Sequence, residues 1–380
     1  MIDTVILEIP QGLYLVDDIE KAKWSLAKRY GSYSVRVRHF PKDDIYRPRI
    51  SFIHNGFSQN LRIEFSIPKL LYGVNLQEVS GADFEAIIDK LQKIIRIEYG
   101  IEVFRDNLER AKVMAFHPSK NILFTNSYRA KHIIKLISKA NFPLKLDKTK
   151  TDFRNDGESL QIHSKAHSLV VYDKICDLHK PKKRAIDKDQ TNIQKLLSNS
   201  IKMNKRNQEI VRIEVRISQK RKMNEMLEKL GHSKDLVFQD LFKSNICQEI
   251  VIWYWNNWIM KGNKMLFISK DTPQDILKQV MSSTEVKPKE VVTLVGIIVL
   301  MKDGGGVRDL KSMLAPYYGK DYWYRLIKRA EEVSDTMIDS PYPPWIKEIE
   351  KQLKEFIPLD IDENEQGLQI RNKELTCKQK

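Results

Sequence analysis

Residues 61–67 read Leu61-Arg62-Ile63-Glu64-Phe65-Ser66-Ile67, and residues 211–217 read Val211-Arg212-Ile213-Glu214-Val215-Arg216-Ile217. Both alternate apolar and polar with a period of two, which is the pattern of a β-strand with one buried face. Each places a carboxylate, Glu64 or Glu214, at mid-strand with arginine two residues away. The shared Arg-Ile-Glu at 62–64 and 212–214 points to a duplicated unit, each half contributing one such strand, although three identical residues also arise by chance.

Upstream of residue 61, Thr4–Ile9, Tyr33–His39 and Ile50–His54 are short β-type runs separated by Pro, Gly and Asn. The N-terminus carries no basic leader and reads as a first strand rather than an export signal. Downstream, Phe84, Ile87, Ile88 and Leu91 fall on one helical face, Arg110–His117 reads as a strand and 126–140 as a helix. Strand and helix in alternation make the first 230 residues α+β, with possible halves 1–150 and 151–230. From about 236 the pattern turns helical, and Trp253, Trp255 and Trp258 in a nearly continuous apolar run read as helix core. Residues 231–338 therefore form an α-helical C-terminal domain. Its last helices are broken at Gly304–Gly306 and at 316–321, an arrangement compatible with a helix-turn-helix that ends on the basic segment carrying Arg325, Lys328 and Arg329. Residues 339–380 read as a linker, a short helix and a flexible tail.

The chain has 380 residues, with 65 Lys and Arg against 50 Asp and Glu, a formal net charge of +15. Such a balance seeks polyanions. The segment 180–222 alone holds 14 Lys and Arg against four acids. Lys182, Lys183, Arg184, Lys205, Arg206, Arg212 and Arg216 in it are candidates to hold a nucleic-acid backbone, and a solvated loop and helix face is the plainer reading. Three scattered cysteines argue against a disulfide framework and fit a reducing cytoplasm. The longest apolar run, 291–301, is too short to span a membrane. Phosphate-loop, dinucleotide, zincin and serine-hydrolase motifs do not occur, which disfavours those enzyme classes.

One stretch concentrates candidate chemistry. On a strand, Gln161 and His163 share a face about 6.5 Å apart, a spacing that can hold one cation. His167 would lie about 13 Å further along unless Ser164-Lys165-Ala166 bends the chain. Surface histidines on an edge strand are the alternative. Glu64 and Glu214 are either strand ion pairs or hard oxygen ligands for Mg2+ or Mn2+, the cations that offset charge on a phosphodiester under attack.

The runs Ile63–Asn75, Ala111–Asn121, Ser168–Lys174 ending in Tyr-Asp-Lys, and Arg212–Arg216 resemble, in this order, the phage and plasmid replication initiators of the filamentous-phage gene II/X type. The resemblance covers about residues 1–220 and, more weakly, the helical remainder. It implies a rolling-circle initiator related to the His-hydrophobic-His nickases: a duplicated antiparallel-sheet core flanked by helices, cutting one DNA strand by tyrosine attack and rejoining it from a covalent 5′-phosphotyrosine. The retained bond energy would make a nucleotide unnecessary. Here the His-hydrophobic-His position reads Gln161-Ile162-His163, and the tyrosine that relatives carry shortly before Tyr-Asp-Lys is replaced by Gln161. The nucleophile is left between Tyr172, Tyr128 and neither. On this reading His163, Glu214 or Glu64, and His117, His167 or Gln161 would meet around a cation, and Lys174 or a histidine would assist the phenol. DNA would be the partner, with a host helicase and single-strand-binding protein beside it. A non-catalytic DNA-binding regulator is the rival expectation, and an RNA-binding duplicated sheet ranks behind both.

Overall fold

The computed structural model describes residues 1–17, 23–40, 45–125, 128–142, 151–154, 157–179, 193–194, 196–197, 199, 208–243, 245–270, 272–284, 286–337, 342–364 and 367–372. Lys182, Lys183, Arg184, Lys205 and Arg206 lie outside them. The chain divides into two compact units. One comprises Met1–Asn126, Lys165–Val251 and Phe356–Lys380, the other Ser127–Ser164 and Ile252–Glu355. The segment 127–164 thus groups with the helical residues 252–355.

In the first unit β1 (Ile2–Ile9), β2 (Leu15–Val16), β3 (Ser25–Tyr30), β4 (Tyr33–Val37), β5 (Arg49–Asn55) and β6 (Gln59–Ser66) lead into α1 (Ile67–Tyr72) and α2 (Phe84–Tyr99). Then come β7 (Ile101–Glu102), α3 (Arg105–Glu109) and β8 (Lys112–Phe124). The second unit contributes α4 (Ala130–Ser138), β9 (Thr151–Arg154) and β10 (Ser159–His163). The first resumes with β11 (His167–Asp173), α5 (Lys174–His179), β12 (Glu209–Ile217), α6 (Lys220–Lys229) and α7 (Asp240–Lys243). Eight of its strands lie in the order β3-β4-β5-β6-β1-β8-β12-β11. All neighbours in this series are antiparallel.

Alternation decides the faces. Val5, Leu7, Ile9, Leu61, Ile63 and Phe65 are buried, whereas Thr4, Ile6, Glu8, Arg62, Glu64 and Ser66 between them are half-exposed. The apolar face is roofed by aromatic packing: Phe65 meets Phe238 with ring centroids 5.9 Å apart, and Phe238 meets Phe84 of α2 at 5.6 Å. Pro68 starts α1 where its missing N–H costs nothing, and Gly73 ends it with φ +75.

β12 departs from this pattern. Arg212 and Glu214 repeat the sequence of Arg62 and Glu64, yet they are 1 % and 2 % exposed. The covering comes from elements remote in the chain. Residues 359–364 and 367–372, expected to be part of a flexible tail, pair as the hairpin β13 (Leu359–Asn364) and β14 (Gly367–Asn372). Leu359 and Ile370 enter a core with Val74, Leu76 and Ile210, because burying these side chains outweighs the entropy of ordering a short hairpin.

α8 (Ile246–Tyr254) carries the chain into the second unit, followed by α9 (Pro273–Met281), α10 (Pro288–Asp303), α11 (Val307–Asp335) and α12 (Pro344–Glu355). Trp255 and Trp258 are buried, as their apolar surroundings predict, whereas Trp253 is half-buried. The expected break at 316–321 does not occur. α11 runs through Pro316, which removes one backbone donor but leaves the flanking turns intact. Arg325, Lys328 and Arg329 therefore belong to one long helix rather than to a separate recognition helix. Arg329 is tied to Glu290 at 2.9 Å and to Glu332 at 3.3 Å. Gly306, at φ +91, lets the chain pass against Lys139, whose carbonyl accepts from Val307 N–H at 3.0 Å.

Candidate functional site

The register of β8, β12 and β11 sets the site. Arg212 lies opposite Asn121 and Tyr172, and Glu214 opposite Ser119 and Val170. Side chains opposite one another share a face. Arg212, Glu214, Tyr172, Ser119, Asn121 and, by continuation of the register, Arg216 and His117 therefore face the same way, and most are buried.

Glu214 is the hub. Its Oε2 accepts the Tyr172 hydroxyl at 3.1 Å, and its Oε1 accepts Arg216 Nε at 2.7 Å. Arg212 Nε stands 3.5 Å and His117 Nδ1 3.9 Å from the carboxylate. Burial alone would raise this carboxyl, but the Arg216 and Arg212 guanidiniums and His117 outweigh it and hold the group well below the usual carboxylate range. Arg212 Nη2 reaches Asp3 at 2.9 Å and Ser119 Oγ at 2.9 Å, and Nη1 donates to the Asn75 carbonyl at 2.9 Å. Lys174, fully buried, donates to Asn75 Oδ1 at 2.9 Å and stands 5.6 Å from the centre of the Tyr172 ring.

A second knot adjoins it. Glu78 accepts Lys120 Nζ at 2.8 Å, Asn121 N–H at 2.7 Å and Leu359 N–H at 2.9 Å. Asn121 Nδ2 donates to the Leu76 carbonyl at 2.7 Å. The segment 75–78, stapled in this way across β8 and β12, closes the polar face at this end of the sheet.

Of the expected cation ligands in the first unit, His117 and Glu214 approach one another, at 3.9 Å. Among the described residues no three His, Cys, Asp or Glu side chains group as a metal set. Glu214 does not fit Mg2+ or Mn2+, since two guanidiniums and a phenol already take its oxygens and would repel a dication. Glu64 shares its face but has β1 and β8 between its strand and β12, about 14 Å away at normal strand spacing. His167 is opposite Ile217, on the other face from Glu214. Gln161 and His163 sit on β10 in the second unit, with alternate positions half-buried.

Tyr172 is likewise not presented for attack. It is 9 % exposed, its hydroxyl is bonded to Glu214, and burial pushes the phenol far above its ordinary value. Lys174 is committed to Asn75. Tyr128, half-buried just ahead of α4, belongs to the second unit. The accessible fringe of the network is Arg216, 42 % exposed, and His117, 22 % exposed. Burial lowers the His117 imidazole against the pull of Glu214.

The sequence reading missed Asp3, Asn75 and Glu78 as members of the network. Asn75 ends the run Ile63–Asn75, but no periodicity tells a loop asparagine that closes over a strand from one in solvent.

His167 yields a measurable consequence. Burial, reinforced by Lys222, lowers its imidazole to about 4, against an unfolded value near 6.5. Between these values the unfolded chain binds a proton that the folded chain does not, so stability falls as pH drops from about 6.5 to 4. The side chain is half-exposed, and screening limits the effect to about 1–2 kcal/mol. In urea titrations at pH 7.5 and 5, His167→Asn should lose less stability on acidification than the parent chain. Equal losses would show that the imidazole is not desolvated.

Comparisons of the chain with protein-family models, with curated proteins and with solved structures return no match in any of the three. No helix among the described residues is long and apolar enough to cross a membrane.

Proposed function

We propose that the protein is a replication initiator that nicks and rejoins a DNA strand through a phosphotyrosine, the activity implied by the resemblance of its motifs. The supporting observation is that the runs carrying the resemblance, separated by up to about 140 residues, converge. Asn75 from the first bonds Lys174 of the Tyr-Asp-Lys and Arg212 of the last, while Ser119 bonds Arg212 as well. Coincidental likeness gives no reason for these residues to touch. The strand order β5-β6-β1-β8-β12-β11 also gives each Arg-Ile-Glu strand the same place beside the central β1/β8 pair, which supports the duplication.

On this reading the motif residues form the frame of the domain, and Tyr128 is the nucleophile, since Tyr172 is closed off. No metal-dependent step is derived, for the donor set does not fit one. The test is incubation with a labelled pool of single-stranded DNA and with supercoiled DNA, with and without Mn2+ or Mg2+, followed by denaturing electrophoresis. A protein–DNA adduct at a 5′ end, lost in Tyr128→Phe, is expected. An adduct that persists in Tyr128→Phe rejects the assignment of the nucleophile.

A second reading, a DNA-binding regulator without strand chemistry, is favoured by the saturation of Glu214 and the closure of Tyr172. DNA binding with no adduct under any of these conditions would establish it.

A further inference from the structure

The outermost hairpin of the sheet unit is basic and carries exposed aromatics. From Lys23 to Phe40 there are five cations, Lys23, Lys28, Arg29, Arg36 and Arg38, and no acid. All six residues of β3 are exposed, although a strand usually buries one face. Tyr30 is 73 % exposed and lies opposite Tyr33, which is 38 % exposed. The tip of this hairpin touches the neighbouring β5–β6 turn: a Cβ on Gly56 would stand 3.1 Å from Ser32 Cβ. That turn holds Phe57 fully in solvent.

Register places Lys28, Tyr30 and Tyr33 on the same face as Asn60, Arg62 and Ser66, through Val35–Ile53–Asn60 and Tyr33–Asn55. The aromatic tip is therefore continuous with the half-exposed polar face of the central strands. Among the described residues no ion pair engages Lys28, Arg29 or Arg36.

Resting on the DNA-directed reading above, we propose that the β3–β4 hairpin and the adjoining β5–β6 turn form a single-strand-binding arm, with Tyr30, Tyr33 and Phe57 as stacking platforms and with Lys28, on the face of the tyrosines, and Arg29, on the opposite face of the same edge strand, as phosphate contacts. Charge complementarity and exposure select this occupant. Aromatic faces in water beside unpaired cations suit unpaired bases on a phosphate backbone, whereas duplex DNA hides its bases and offers the aromatics nothing. A second copy pairing along edge strand β3 would set like charges against each other at Lys28 and Arg29.

The test uses the full chain and fluorescence anisotropy with a labelled mixed-sequence 12-nucleotide DNA, from 50 to 300 mM salt. Tyr30→Ala with Tyr33→Ala should weaken binding roughly ten- to hundredfold and leave the salt slope unchanged. Lys28→Ser with Arg29→Ser should make the slope of log K on log salt shallower by about 1.4. Phe57→Ala, at a position that packs on nothing, repeats the aromatic test without risk to folding. Parent-like binding by all three variants, or duplex bound as tightly as single strand, overturns the arm. Binding of RNA in preference to DNA, or concentration-dependent self-association abolished by the Lys28 and Arg29 changes, overturns the assigned occupant. If the parent chain binds no DNA at all, the DNA-directed function itself fails, which is a different result from variants that bind as well as the parent.

Discussion

Glu214→Ala is expected to lower the unfolding free energy by about 3–5 kcal/mol. The carboxylate is 2 % exposed and lies between two guanidiniums, so its removal leaves Arg212 buried with less compensation and Tyr172 without its acceptor. The lost attraction is only part of the cost; the rest is the desolvation of the groups left behind. Urea titration measures the loss. Glu214→Gln should lose less, since the one amide oxygen still accepts from Arg216 and the amide NH2 can donate to the Tyr172 hydroxyl oxygen, although neither arginine is neutralised. The pH dependence gives a second handle. The folded carboxyl is held below its unfolded value, so its contribution is present above the unfolded carboxylate range near pH 4 and disappears on acidification through the depressed value. Glu214→Gln should remove that acid-labile part. A loss below about 1 kcal/mol in Glu214→Ala would mean that the guanidiniums are already solvated and that the pocket is open.

Glu78→Ala should be as damaging, about 3–5 kcal/mol, for a different reason. Here one carboxylate satisfies a lysine, Lys120, and two backbone donors, those of Asn121 and Leu359. Lys120 is 0 % exposed, and truncating its partner strands a charge in the core. The signature beyond stability is local. Leu359 N–H anchors the β13–β14 hairpin, so amide exchange across 359–372 should quicken even under conditions where the variant remains folded. Unchanged exchange there would show that the hairpin is held by Leu359 and Ile370 packing alone.

Much of the sheet was legible because strand alternation is a local signal. Leu61–Ile67 and Val211–Ile217 fix two strands and their apolar faces, and the run Phe84–Leu91 fixes a helix. What Arg212 and Glu214 do was not legible, because it depends on residues 75–78 and 359 closing over β12. Arg62 has nearly the same neighbours in sequence, yet it pairs with Glu8 at 3.0 Å on a half-exposed face. Identical tripeptides thus have different physical roles, set by contacts that no local pattern encodes. The same holds for His167: an imidazole three positions from Val170 on one strand points to the opposite face from Glu214, a separation set by the pairing of β11 with β12 rather than by any local pattern. Pro316 misled in the other direction, since a proline reads as a break unless the flanking turns are stable enough to absorb it. Of the exposed aromatic hairpin 25–37 only the second strand falls in an expected run, Tyr33–His39, because composition can identify a strand but not a partner strand with all six residues exposed.

The claim on which the account turns is that sequence-distant signature residues form one buried frame, and Asn75 with Lys174 is the pair that tests it most directly. In a double-mutant cycle of Asn75→Ala and Lys174→Met, followed by urea unfolding, the 2.9 Å bond between them predicts a coupling of about 1–2 kcal/mol. Effects that add to within about 0.5 kcal/mol would place the two residues apart and contradict the frame.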